Sequence, residues 1–212
     1  MRRDFRTQHR TSAPALLAMA MLAACAGGPV TSPTYQSPRS LELAQSALAR
    51  GPMLVVVQGN PYPIADPAFV SSVLAAMRSA MTWTGTPRLT ADPAAAPSPS
   101  LRVVMSFNAG VVDANIQCLG GSQGGGPAAG GAVQVTATFC GNGDLISNTS
   151  GHIDTSTGPD DPLFTSLMTQ VTDDLFPQRP TPFPGIGVGV GGGFGVGSGG
   201  FSGGVVGVGV GL

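Results

Sequence analysis

Few side chains in this chain can do covalent or acid–base chemistry. There are three cysteines, Cys25, Cys118 and Cys140, and two histidines, His9 and His152. A cysteine thiol can take a lipid, form a disulfide, bind a metal or act as a nucleophile. Neither Cys118 nor Cys140 stands in a C-x-x-C motif or beside a histidine, which disfavours a metal or redox pair without excluding it.

The first 24 residues have the layout of a secretory signal peptide. A basic start is followed by an apolar run from Ala13 to Ala24 that ends in small residues. A membrane-spanning helix needs about 20 apolar residues, and this run is shorter. We therefore expect residues 1–24 to be cleaved. The basic residues are Arg2, Arg3, Arg6 and Arg10.

The residues Leu22-Ala23-Ala24-Cys25 close this segment and resemble the lipobox of bacterial lipoproteins. The resemblance implies that Cys25 receives a diacylglyceryl group and becomes the first residue of the mature protein. Several acyl chains anchor a protein durably in a membrane. Since Ala26 rather than Asp follows, the resemblance also implies sorting to the outer membrane, facing the periplasm. The alternative is an ordinary signal peptide cut after Ala24, which leaves Cys25 unmodified.

Export predicts the state of the other two cysteines. Disulfides persist in oxidising compartments, and Cys118 and Cys140 are an even pair once Cys25 is removed. We predict a Cys118–Cys140 disulfide. In the chain-entropy model, a disulfide that closes a loop of this size contributes about 3 kcal/mol to the free energy of unfolding.

The mature chain retains one histidine, His152, with Asp154 two residues later and several serines nearby. A hydrolytic triad can be imagined, but residues two apart on a strand share a face for ordinary reasons. One histidine is also too few for a typical histidine-based metal site. We therefore expect no catalytic residues, no metal and no cofactor.

Composition narrows the possible partners. Charged residues make up 10% of the chain, and every basic residue is arginine, so lysine-dependent chemistry is absent. Beyond residue 24 the chain has six arginines and ten carboxylates, which gives a net charge of about −4. This balance disfavours nucleic acid as a partner.

The mature chain divides by composition into a lipidated N-terminus and tether (25–50), a domain (51–178) and a Pro/Gly/Val-rich tail (179–212). A short amphipathic helix is possible at 40–50. Within the domain, long helices are predicted where Asp66-Pro67 and Asp161-Pro162 precede apolar stripes, with each Asp as N-cap. Strands are predicted at 53–58, 101–108, 132–140 and 145–153, with a turn at Asn142-Gly143.

These elements predict an α+β domain: a small mixed or antiparallel sheet of about four strands with two helices on one face. The segments 84–100 and 119–131 are expected to be a surface connection and a flexible loop. Residues 52–176 resemble, in element order, small envelope lipoproteins such as the auxiliary lipoproteins of ABC-type transporters. That resemblance implies a role in envelope transport.

The tail alternates Gly with Val or Ile and has no charge after Arg179. Its matches to G-x-G-x-x-G and G-x-S-x-G follow from glycine density and lack the strand and helix that those motifs require. Two interpretations compete: a disordered appendage, which glycine's backbone entropy favours, or strands that pair with each other or with partners.

Two functions remain. The favoured one is a non-enzymatic, membrane-anchored envelope lipoprotein whose domain binds or helps assemble another envelope protein. The alternative is a carrier in which sheet and helices enclose a slot for lipid or another small apolar ligand. The missing catalytic groups favour both over an enzyme.

Overall fold

A computed structural model describes residues 27–178. These residues form one sheet with helices on both faces. The chain order is strand, helix, strand, helix, two strands, short helix, hairpin, helix. The strands are β1 (Val30–Gln36), β2 (Met53–Gln58), β3 (Leu89–Thr90), β4 (Leu101–Phe107), β5 (Val133–Gly141) and β6 (Asp144–Ile153). The helices are α1 (Ser40–Arg50), α2 (Asp66–Ala80), α3 (Ala114–Cys118) and α4 (Pro162–Leu175).

The six strands lie in the order β1-β6-β5-β4-β2-β3. Strand β2 is parallel to both β3 and β4, whereas β4, β5, β6 and β1 are successively antiparallel. The predicted α+β class is confirmed, and of the two sheet types left open, mixed and antiparallel, the mixed one is present. The β5–β6 hairpin, whose turn residues Asn142 and Gly143 both have positive φ, is also confirmed.

The sheet has six strands rather than about four. The additional β1 lies in the stretch that was assigned to the tether, and β3 in the predicted surface connection. Strand β1 contains Pro33, has a register shift between Pro33 and Tyr35, and exposes most of its side chains. An edge strand of this kind needs no apolar alternation, so its sequence is indistinguishable from that of a polar linker.

Helices α1, α2 and α4 pack on one face of the sheet, and the helix predicted at 40–50 is confirmed as α1. The inward residues of β2, β4 and β5 meet the apolar stripes of these helices. The core is rich in aromatic rings, with Phe69 and Phe107 in edge-to-face contact at 4.9 Å between centroids. The largest fully buried side chains include Phe69, Phe107, Phe139, Phe164, Phe176, Met77, Met105 and Leu167.

The two Asp-Pro helix openings differ. Asp161 is the N-cap of α4, where its carboxylate accepts a hydrogen bond from the Leu163 amide at 2.9 Å. Asp66 was also predicted to be a cap, but it is the first residue of α2, and its carboxylate accepts from the Asn60 side chain at 3.0 Å. The prediction for Asp66 is therefore wrong, because Asn60 offers a competing donor.

The signal segment, Cys25 and the tail 179–212 lie outside the described residues. Among the helices that are described, none has both the length and the apolar character to cross a bilayer.

Candidate binding groove

The second face of the sheet is covered by the segment 113–126, which we call the strap. It begins at Asp113, whose carboxylate accepts hydrogen bonds from the amides of Asn115 (2.8 Å) and Ile116 (3.2 Å) and so caps the five-residue helix α3. This helix was not predicted, because five residues carry no measurable apolar period.

A disulfide fastens the strap to the sheet. Cys118, the last residue of α3, is bonded to Cys140 of β5 with a Cα–Cα distance of 5.3 Å, so the predicted pair is present. Both cysteines are buried against Val104 in a small cluster of their own. The Arg102 guanidinium also donates to the Cys118 carbonyl at 2.6 Å.

A chain of buried polar side chains continues this attachment. The Gln117 amide donates to Ser106 Oγ at 2.6 Å and accepts from the Thr138 hydroxyl, and Thr138 in turn accepts from Asn148 at 2.9 Å. Ser106 donates to Gln58 Oε1, which also accepts from the strap amide of Gln123 at 2.7 Å. Paired groups of this kind avoid the cost of burying a lone polar atom.

The strap also corrects the prediction about the exposure of β4. Apolar and polar residues alternate in β4, which predicts a strand with one face buried, but all its residues from Val103 to Phe107 are buried, because the strap covers the other side. Residues 119–131 were predicted to be a flexible loop. They are exposed or half-buried, and within them the Gly125 amide donates to the Phe107 carbonyl at 2.8 Å.

Glycine is required where the strap crosses the strand ends. A Cβ built on Gly125 would lie 1.9 Å from the Asn108 carbonyl oxygen, and one on Gly124 would lie 2.4 Å from the Gly59 nitrogen. Any side chain would therefore push the two backbones apart. The glycine run permits this close packing.

Beyond the strap, the same face of the sheet opens into a groove of about 650 Å³. It lies over the starts of β1 and β5 and the end of β6, where Val30, His152 and Gln134 are successive neighbours across the strands. The floor is largely apolar, and the rim carries amide, hydroxyl, imidazole and carboxylate groups. The lining includes Val30, Asn108, Ala128, Gln134, His152 and Asp154.

The imagined triad around His152 is not assembled. Ser150, His152 and Asp154 all line the groove, yet no hydrogen bond joins their side chains to one another within the described residues. In that same part of the chain, no three His, Cys, Asp or Glu residues are placed to hold a metal ion. The lining of the groove offers apolar surface, hydrogen-bonding groups and one carboxylate.

Charge is distributed unevenly along the strands. We call the end where β2, β4 and β6 finish the groove end, and the end with the β5–β6 turn the hairpin end. The described arginines, which belong to the hairpin end, are Arg39, Arg50, Arg78, Arg88 and Arg102. The carboxylates at the groove end are Asp66, Asp113, Asp154, Asp160 and Asp161.

The disulfide was predictable from the sequence, and His152 and Asp154 stood out there, but Asn108, Gln134 and the amide network did not. These polar residues lie in strands and loops where no motif or period singles them out. Cys25, the predicted lipid site, lies outside the described residues.

No protein-family model matches the chain, and no curated protein matches it. Among solved structures, the PelC dodecamer from Paraburkholderia phytofirmans and a point variant of that dodecamer are each 18% identical to this chain. Each likeness covers 71% of this chain and 99% of the other, with a TM-score of 0.38, which is too low to establish a common fold.

Proposed function

We propose that this chain is a bacterial lipoprotein, anchored through Cys25 in the cell envelope, whose domain has a non-enzymatic role in binding or assembling another envelope component. The observation that carries the proposal is the lipobox-like sequence Leu22-Ala23-Ala24-Cys25 behind a basic and apolar leader. The proposed location is the outer membrane, with the domain facing the periplasm.

The short distance from Cys25 to the fold supports an assembly role at the membrane surface. Strand β1 begins at Val30, five residues after Cys25. Five residues span at most about 17 Å when fully extended. An acylated Cys25 would therefore hold the domain, and the groove beside Val30, close to the lipid headgroups.

The disulfide is consistent with this compartment, because such bonds persist in the periplasm and are rare in the cytosol. The groove supports a binding role, because it combines an apolar floor with polar groups that can orient a partner.

A carrier of lipid or a small apolar ligand is the second candidate. The space between the sheet and α1, α2 and α4 is filled with buried side chains, so the ligand would have to occupy the open groove. Its volume of about 650 Å³ is typical of small-ligand sites, which measure roughly 300–1,000 Å³. This volume supports the carrier as the second candidate.

The anchor is tested by Cys25→Ser in cells fed a labelled fatty acid. We expect the variant to lose the label and to accumulate as precursor or leave the membrane fraction. The matched control is Cys118→Ser/Cys140→Ser, which should keep the label. If Cys25→Ser alters neither processing nor membrane fractionation, the anchor assignment is wrong.

The two binding roles separate in native mass spectrometry of the protein after gentle extraction. A stoichiometric protein partner supports assembly, whereas co-purifying lipid that is lost on Ala128→Trp, a change that fills the groove, supports the carrier.

A further inference from the structure

We propose that the groove binds an extended, positively charged peptide segment of a partner protein. The proposal names a partner class for the binding role above and rests on that role. It does not depend on whether Cys25 is acylated. Three features carry it: Asp154 on the rim within a one-signed end of the sheet, the free hydrogen-bonding groups on that rim, and the apolar floor.

The charge follows from the topology. Asp66 begins α2 just after β2 ends, Asp113 follows the end of β4, Asp154 follows the end of β6, and Asp161 caps α4. Together with Asp160, these five carboxylates gather at the groove end. None of the five arginines in residues 27–178 belongs to that end, so its formal side-chain charge is negative.

The hairpin end shows that this is a local property. Its five arginines are accompanied by five carboxylates, so the two signs balance there. These carboxylates are Glu42, Asp92, Asp144, Asp173 and Asp174. The net negative charge of the described residues therefore lies at the groove end. This charge favours the binding of a cationic partner and disfavours that of an anionic one.

The rim has groups ready to bind a peptide backbone. The side-chain amide of Gln134 and the imidazole of His152 are both exposed, and neither forms a hydrogen bond with another described residue. An amide both donates and accepts, as an extended backbone requires. In contrast, Asn108 is already engaged, with its Oδ1 accepting from the Gln134 backbone amide at 2.8 Å and its Nδ2 donating to Gly126.

The floor selects against a purely hydrophilic cation. Val30 is 54% exposed, and with Ala128 and Ala132 it offers an apolar strip beside Asp154. A segment that alternates basic and apolar residues would place one set on this strip and the other toward the carboxylates, because successive side chains of an extended chain point to opposite sides. Phosphate-bearing lipid headgroups would be repelled by the same carboxylates.

The test uses the mature, full-length protein in uncharged detergent and a fluorescent ten-residue peptide that alternates Arg and Val. Matched peptides carry Gln or Glu in place of Arg. We expect the Arg peptide to bind about tenfold more tightly than the Gln peptide, and the Glu peptide not to bind. Raising salt from about 50 to 300 mM should weaken binding several-fold, since exposed charges are screened.

Two matched pairs of variants locate the site. Asp113→Asn/Asp154→Asn removes charge at the groove end while Asn retains the α3 cap, and we expect about tenfold weaker binding of the Arg peptide. Asp92→Asn/Asp144→Asn makes the same change at the hairpin end and should stay within about twofold of wild type. Ala128→Trp, which changes no charge, should also weaken binding.

The outcomes are distinct. Equal effects of the two double variants would show non-specific attraction and overturn the proposal, as would unchanged binding in a correctly folded Ala128→Trp protein. Preferential binding of phosphatidylglycerol vesicles over the Arg peptide would overturn it in favour of a lipid site. The acylation test on Cys25 is independent, so failure of the anchor and failure of the groove proposal are distinguishable.

Discussion

The two faces of the sheet are stabilised by different interactions. On the helix face, aromatic and aliphatic side chains from three helices form a continuous apolar core. On the strap face, five helical residues contribute little apolar area, and the attachment depends on a disulfide, buried amide–hydroxyl contacts and close glycine packing. Long amphipathic helices hold themselves to a sheet by burial alone, whereas a short segment needs covalent and polar attachment.

The largest effect is expected on the helix face. Phe107→Ala removes a fully buried ring that contacts Phe69 and Phe164, and should lower the free energy of unfolding by about 3–5 kcal/mol. Denaturant titration measures this loss. Val111→Ala is the control, because Val111 is 100% exposed and its truncation should change little. A loss below about 1 kcal/mol for Phe107→Ala would contradict the assignment of the core to this face.

On the strap face, the disulfide should matter most. Cys118→Ser/Cys140→Ser opens a cross-link between residues 22 apart, and the unfolding free energy should fall by about 3 kcal/mol. Hydrogen exchange should accelerate first in the strap, because its remaining contacts are polar and local. Equal acceleration in α2 and α4 would instead mean that the two faces open as one unit.

This contrast also explains which elements the sequence predicted. Helices α2 and α4 and the β5–β6 hairpin repeat apolar residues at the period of their own structure, so they were found. The disulfide followed from counting cysteines. The strap was missed because Gln117 and Gly125 matter through their neighbours in space, Thr138 and Asn108, which no local pattern reveals.

The groove shows the same limitation more strongly. His152 and Asp154 attracted notice as possible catalytic groups, but the groove exists only because β1 pairs with β6 and the strap stops short of it. Since β1 has the composition of a linker, neither the pairing nor the cavity could be predicted. The one-signed charge at the groove end likewise depends on strand directions that composition does not give.

A smaller effect tests the polar network itself. Gln117→Ala leaves the Thr138 hydroxyl without its acceptor and Ser106 without a donor, which should cost about 1–3 kcal/mol. Gln134→Ala removes a glutamine side chain from an exposed position on β5 and should cost less than about 0.5 kcal/mol. Equal losses in thermal or denaturant unfolding would show that burial of Gln117 contributes nothing to the strap.

The smallest effect compares the two Asp-Pro helix openings on the helix face. Asp161→Ala removes a side-chain N-cap and should cost about 1 kcal/mol, whereas Asp66→Ala loses only a contact with Asn60 and should cost less. The amides of Thr157 and Leu163 donate to Asp161 and lower the pKa of its carboxyl below 3.8. Its contribution is therefore fully present above that pH and declines as the pH falls through the lowered value. The stability difference between wild type and Asp161→Ala should shrink as the pH is lowered below 3.8, and a difference that does not shrink on acidification would mean that the cap acts without its charge.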